Sequence, residues 1–403
     1  MKNRKPLLAL LLSGAMALSL FACAPADGGA ADPDDKNATS DQSEGGFLDF
    51  FSGLFGGGEE SAPPSAEPVQ SPDPGPSPSV EVDLSQGPLE FSAGVSPSDV
   101  LLTVNGTDIP ADLFLYMLDM NCINVQSYLA YFGNTLADVA DTMLEESVSM
   151  AVYHTLIRQK AGELGCLLTD AQNSEIRAAM DEADLPSLVP YWGLTDESAE
   201  FIFAMNTYYS NVLEAATQEP GPEELDKYLE DQGVFAVKHI LLKTVDDSSQ
   251  PLPEDQIAGK KAQAEELLAQ LQGAEDLPAK FDELMMAHSE DNPQNNPDGY
   301  VFSSSDSLVG GFREASLALE PGGLSGVVET DYGYHIILRL PLADETRAGY
   351  GRSLRADRLD ALVEQWRAEA DITRSDALSG LDVADFCQRL SAYQQALEAG
   401  NTP

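Results

Sequence analysis

Val234-Phe-Ala-Val-Lys-His-Ile-Leu-Leu242 is the point at which the hydrophobic period of this 403-residue chain changes. Upstream, apolar residues recur at helical spacing. Here Phe235, Val237, His239 and Leu241 alternate with Ala236, Lys238, Ile240 and Leu242, the two-residue repeat of a strand. Downstream, Pro253-Glu-Asp255 starts a helix with Ile257, Ala264, Leu267, Leu268 and Leu271 on its buried side. A second helix follows Pro278 and carries Phe281, Leu284 and Met285. Asn292 to Asp298 reads as a turn-rich loop and Gly299 to Phe302 as a short strand. Phe312 to Leu319 reads as a helix stopped by Pro321-Gly-Gly323. Ser325 to Glu329 and Tyr334 to Leu340 read as two strands joined at Asp331-Tyr-Gly333. The order β-α-α-β-α-β-β predicts an α+β domain over 233–343.

The flanks read differently. Leu101-Leu-Thr-Val104 is a short strand, Asn105-Gly106 a turn, and a helix starts after Pro110. Leu113, Met117, Met120 and Asn124 share one side of it. The next stripe, through Ala140, Leu144, Ser147, Val148 and Ala151, should stop near Gly165. Thr169-Asp170 and Thr195-Asp196 open two further helices. After residue 343, Leu359, Leu362, Val363 and Trp366 form another stripe, and Asp382 to Leu397 a last one. These stripes need partners. The simplest arrangement packs 344–403 on 95–232, with the α+β domain inserted between two halves of one all-helical domain.

The N-terminus is of another kind. Lys2, Arg4 and Lys5 precede an apolar run from Pro6 to Ala22, the layout of a signal peptide over 1–22. Leu20-Phe-Ala-Cys23 resembles a bacterial lipobox, which implies cleavage before Cys23 and its lipidation. Residues 23–94, with Ser61-Ala-Pro-Pro64 and Pro72-Asp-Pro-Gly-Pro-Ser-Pro78, read as an acidic tether too poor in apolar groups to offset ordering entropy. Within it, Phe47-Leu-Asp-Phe-Phe-Ser-Gly-Leu-Phe55 is an apolar island with no assigned role. Asp plus Glu number 67 against 22 Lys plus Arg, a formal charge of −45, which disfavours nucleic-acid partners. Cys122, Cys166 and Cys387 form no metal or redox spacing and read as small buried hydrophobes; no metal and no cofactor is expected.

The central domain resembles the parvulin-type (PpiC-like) peptidyl-prolyl isomerases. The likeness is carried by Val237-Lys-His-Ile-Leu-Leu242, by Phe281-Asp-Glu-Leu284 with His288-Ser-Glu-Asp291, and by Phe312-Arg-Glu-Ala-Ser-Leu-Ala-Leu319. Pro321-Gly-Gly-Leu-Ser325 and Val328-Glu-Thr-Asp-Tyr-Gly-Tyr-His-Ile-Ile337 complete it. The wider layout of lipobox, tether, helical region, one such domain and helical tail resembles the PrsA-type foldase lipoproteins of Gram-positive bacteria. The resemblance implies a polar cluster of His239, Asp291 and His335, and a substrate-binding proline pocket at Leu308, Phe312 and Leu317, with Tyr332 in the last turn. Strand parity agrees, since His239 shares a face with Val237 and Leu241, and His335 with Ile337. Leu308 stands where Met is frequent, Tyr332 where Ser is frequent, and Asp291 where some parvulins have Cys. The loop Lys243-Thr-Val-Asp-Asp-Ser-Ser249 has no cation cluster for phosphate, so phospho-Ser/Thr-Pro specificity is not expected.

These readings imply an isomerase acting on unfolded or partly folded exported polypeptides, lipid-anchored at the outer face of the cell membrane. The oligomeric state stays open, a dimer included. One alternative is an anchored holdase chaperone with a weak or inactive parvulin module. A solute-binding lipoprotein would need two large α/β lobes, which this pattern lacks.

Overall fold

The computed structural model describes residues 80–183, 190–246 and 248–400. The signal peptide, Cys23, the Phe47–Phe55 island and the tether as far as residue 79 lie outside the described residues. The described chain divides into two units, one formed by its flanks up to Gln218 and from Arg355 onward, the other by Glu219–Leu354.

The flanking unit begins earlier than composition indicates. Pro88–Ala93 is a helix (α1), with Leu89 and Phe91 buried, where the tether was expected to run to residue 94. Phe91 is held from the far end of the chain. Tyr393 packs against its ring at 5.7 Å, and Arg389 donates to its carbonyl at 2.9 Å. β1 (Val100–Val104) and β2 (Thr107–Pro110) form a hairpin, followed by α2 (Ala111–Phe132). The sequence assigns α2 one apolar side, but Leu113 through Met120 are all buried, including Asp119. It is a central helix surrounded by its neighbours rather than a surface helix. α3 (Ala140–Glu163), α4 (Asp170–Glu182) and α5 (Asp196–Ala216) start and stop as their sequence signals indicate. Thr169 and Thr195 accept from Gln172 and Ser198 as N-caps, and Gly165 takes a positive φ of 70° after α3.

The other unit follows with α6 (Pro222–Asp231), β3 (Phe235–Lys243), α7 (Glu254–Gln272), α8 (Leu277–His288), β4 (Tyr300–Phe302), α9 (Gly310–Leu317), β5 (Val328–Thr330) and β6 (Gly333–Leu340). The four strands make an antiparallel sheet in the order β4-β3-β6-β5. The expected strand at Ser325–Glu329 is shorter, although Leu324 still bridges Leu338 and Ser325 bonds Ile337 through both its N–H and its hydroxyl. Parity sorts the two faces. Ile240, Leu242, Tyr334, Ile336 and Leu338 pack under α7 and α8 with Leu267, Leu271, Phe281 and Leu284. Phe235, Val237 and Ile337 pack under α9 against Phe312. Two glycines are required where backbones nearly touch. Gly333, at φ 147°, opens β6, and a Cβ there would collide with the carbonyl of Leu242. Gly299, at φ 94°, lies against the carbonyl of Val237 in the same way.

The chain then enters α10 (Asp344–Glu369), β7 (Ile372–Arg374), α11 (Asp376–Ser379) and α12 (Val383–Gly400). Within the flanking unit, β7 pairs antiparallel with β1, giving a three-stranded sheet β2-β1-β7. The expected all-helical domain thus carries a small sheet that ties its N- and C-terminal halves together. Arg374 reinforces the tie with two bonds to Glu145, at 2.6 and 2.7 Å. Leu359, Val363, Phe386 and Leu390 complete a core shared with α2, α3 and α5.

Candidate active site

The face of the sheet under α9 holds two histidines in diagonal register. His239 lies opposite Ile337 and His335 opposite Leu241, so both imidazoles project from the face that carries Val237 and Ile337. Their Nδ1 atoms are 3.2 Å apart. Asp291 reaches them because β4 is only three residues long and leaves the β3 edge open beyond Val237. The turn after α8 takes that edge. The Leu241 N–H donates to Ser289 Oγ, Glu290 N–H donates to the Leu241 carbonyl, and Lys243 N–H donates to Glu290 Oε2. The next residue then places its carboxylate 2.7 Å from His239 Nε2.

The three polar residues expected from sequence are therefore in one network, and two further residues complete it. Tyr300 Oη donates to Asp291 Oδ2 at 3.1 Å and receives Asn296 Nδ2 at 3.2 Å. Thr330 Oγ1 lies 2.9 Å from His335 Nε2 and accepts the Tyr332 N–H at 3.2 Å. Sequence reasoning missed both. Tyr300 carries a parity signal once β4 is paired with β3, because its register partner is Val237, on the histidine face. Thr330, beside the hairpin turn, has no such signal.

The Asp291 carboxylate assigns one ring proton. Burial alone would raise the Asp291 carboxyl, but the His239 bond and charge, the Tyr300 bond and the nearby Lys243 hold it below the usual carboxylate range. An ionised carboxylate only accepts, so His239 carries its proton on Nε2. Burial, then the neighbouring His239, push His335 down to about 3, against a weaker upward pull from Asp291. The two Nδ1 atoms share a single hydrogen, and His335 Nε2 lies within hydrogen-bond distance of Thr330 Oγ1, which also lies 3.4 Å from the Gly333 carbonyl. The bond whose direction the carboxylate fixes is that from His239 Nε2–H to Asp291.

Apolar groups adjoin this network. Phe312 is buried, with its ring centre 5.1 Å from that of His239 and 5.2 Å from that of His335. Leu308, Val309, Phe302 and Leu319 pack around it. Leu317, assigned to the pocket from sequence, is a correction. Phe312 and Ser316 define the buried face of α9, and Leu317 points outward, 48% exposed, while Leu319 contributes the apolar contact. Tyr332 lies in the β5–β6 turn with its side chain 52% exposed and its carbonyl accepting Thr244 N–H. A cluster of this kind can grip a small apolar ring beside fixed hydrogen-bonding groups.

Residues 239–340 match the rotamase family, the PPIC-type PPIASE domain. Within the chain this PPIC-type domain spans the whole polar network together with Leu308 and Phe312. The chain is similar to a chaperone SurA from Thiobacillus denitrificans, 32% identical over 108 residues, which is 27% of this chain and 22% of that protein. It thus spans about a fifth of the length of the curated relative it matches. Among solved structures, the peptidylprolyl isomerase PrsA from Bacillus cereus aligns at 18% identity over 73% of this chain and 99% of its own, with a TM-score of 0.32. The PPIase domain of TbPar42 aligns at 23% identity over 27% of this chain and 99% of its own, with a TM-score of 0.23.

Proposed function

We propose that this chain is a peptidyl-prolyl cis-trans isomerase that assists the folding of exported polypeptides. The observation that carries the reading is the His239–Asp291–His335 network set against Phe312 and Leu308 on one face of the sheet. Rotation about an X–Pro bond crosses a barrier of about 18–20 kcal/mol because the amide is conjugated, and unassisted it takes tens to hundreds of seconds. No bond is broken, so no nucleophile is needed. The catalyst must bind the twisted amide better than the planar one. An apolar slot that seats the proline ring, beside a polarised hydrogen-bond chain, supplies that preference.

The reading extends to the rest of the chain. The signal peptide at 1–22 is removed, Cys23 is lipidated, and the stretch from Cys23 to the start of α1 carries the folded units away from the outer face of the cell membrane. The isomerase domain at 233–343 acts on X–Pro bonds in unfolded or partly folded clients, and 95–232 with 344–403 cradle them. A protease-coupled proline-peptide assay tests the activity. Turnover in the wild type that is lost in Phe312→Ala and His239→Ala supports the assignment; full activity in both variants removes it. Radiolabelled palmitate incorporation that depends on Cys23 tests the anchor.

A second reading, holdase activity, is favoured by one observation. The flanking unit exposes large apolar side chains at Ile123, Leu164 and Leu167, each an apolar contact open to an unfolded chain. Suppression of client aggregation that survives Phe312→Ala would separate the two activities.

A further inference from the structure

Resting on the isomerase reading above, we infer that Tyr300 is a positioning residue of the site, acting through Asp291 to hold the proton of His239 on Nε2. The phenol occupies the only direction from which the carboxylate receives a neutral donor in addition to His239 among the described residues. Its hydroxyl lies 3.1 Å from Asp291 Oδ2, the same oxygen that accepts from His239, and 3.3 Å from the Asp291 backbone carbonyl. Asn296 donates to the phenol oxygen at 3.2 Å, which leaves the phenol proton free to serve Asp291. The ring is fixed as well. It stacks on Phe302 with centres 5.7 Å apart and planes 11° apart, and meets His239 edge-on at 5.6 Å. Register with Val237 puts it on the histidine face by backbone pairing rather than by loop conformation.

The groups facing Asp291 come from every neighbouring element: His239 and Lys243 from β3, Tyr300 from β4, and, through His239, His335 from β6. Two act through direct bonds, His239 and Tyr300. Burial and the Asp291 charge push the phenol up to about 12, so it remains a donor across the physiological range. Removing its proton leaves the carboxylate with one neutral donor fewer. A carboxylate that protonates more readily no longer obliges His239 to keep its hydrogen on Nε2, and the ring loses the partner that orients it.

The test uses the full chain with carboxyl-labelled aspartate and follows Asp291 by carbon NMR as pH is varied. Tyr300→Phe keeps the ring stack and removes only the hydroxyl. It should raise the Asp291 midpoint by about one pH unit, a tenfold change in proton affinity. The pH below which isomerase kcat/KM falls should move up together with the Asp291 midpoint, with little change at pH 8. Because Tyr300 works through Asp291, the same substitution made in an Asp291→Asn background should have no further effect on activity. An unchanged Asp291 midpoint, or an equal loss in both backgrounds, overturns the inference and leaves Tyr300 as packing. Tyr300→3-fluorotyrosine, nearly isosteric and a stronger donor, should move the midpoint downward; a shift in the other direction also overturns it. If the wild-type chain isomerises no proline peptide, the isomerase reading fails, while the Asp291 titration still decides the role of Tyr300.

Discussion

Lowering the pH from 7.5 to 5 should destabilise the PPIC-type domain through His335 in particular. The ring is 4% exposed, and its burial beside His239 pushes it from 6.5 to about 3. In the unfolded chain the same imidazole protonates near pH 6.5. Between these values the unfolded state binds a proton that the native state refuses, so stability falls as pH falls. The slope is about 1.4 kcal/mol per pH unit, or about 2 kcal/mol lost at pH 5. Asp291 does not contribute in this window. Its native carboxyl is held below the usual range, so it costs stability only where unfolded aspartates protonate, below about pH 4. Amide hydrogen exchange of β3 and β6 in the full chain reads the local stability directly. His335→Asn cannot take up the proton. It should be less stable than wild type at pH 7.5, yet its protection should decline less steeply toward pH 5, by about one tenfold step per pH unit. Parallel pH dependences in wild type and variant would refute a buried, neutral His335 imidazole.

Other expectations follow from single contacts. Phe312→Ala empties the centre of the cluster under α9 and should cost about 3–5 kcal/mol in urea denaturation, with at least a tenfold fall in isomerase kcat/KM; Phe312→Leu should recover most of the stability. Gly333→Ala drives a methyl into the Leu242 carbonyl at a backbone angle that disfavours side chains, and should lower thermal stability by about 1–3 kcal/mol. Asp119→Asn should act in the opposite sense. Burial pushes that carboxyl up to about 6 against a hydrogen bond from Trp192, so its ionisation costs stability as pH rises from about 4 to 6, and the amide, which can still accept from Trp192, should be more stable than wild type at pH 8 by about 2–3 kcal/mol. Arg374→Ala, which breaks the paired bonds to Glu145, should speed proteolysis between α10 and α12 while changing global stability by less than about 1 kcal/mol, because both side chains are largely solvated.

What the sequence disclosed, and what it concealed, follows from the range of each interaction. Period-two alternation from Val234 to Leu242 is local, so β3 and the side of His239 were legible, and the same parity argument placed His335 beside Ile337. Helix caps at Thr169 and Thr195 are local too, and both hold. Asp291 was legible as the residue after the His288-Ser-Glu turn, but its reach to His239 depends on β4 being short enough to leave the β3 edge unoccupied. That is a property of pairing between distant segments. Tyr300 follows the same rule, since a tyrosine in a three-residue strand shows no face until its partner is known. β7, also three residues long, cannot display an alternation at all; the open edge of β1 recruits it across most of the chain. Leu317 fails in the other direction. The family resemblance placed it in the pocket wall, whereas the spacing of Phe312 and Ser316 sets the inward side of α9, and helical geometry leaves a residue next to Ser316 facing solvent. Period was the better guide to which way a side chain faces, and resemblance alone did not give it for Leu317.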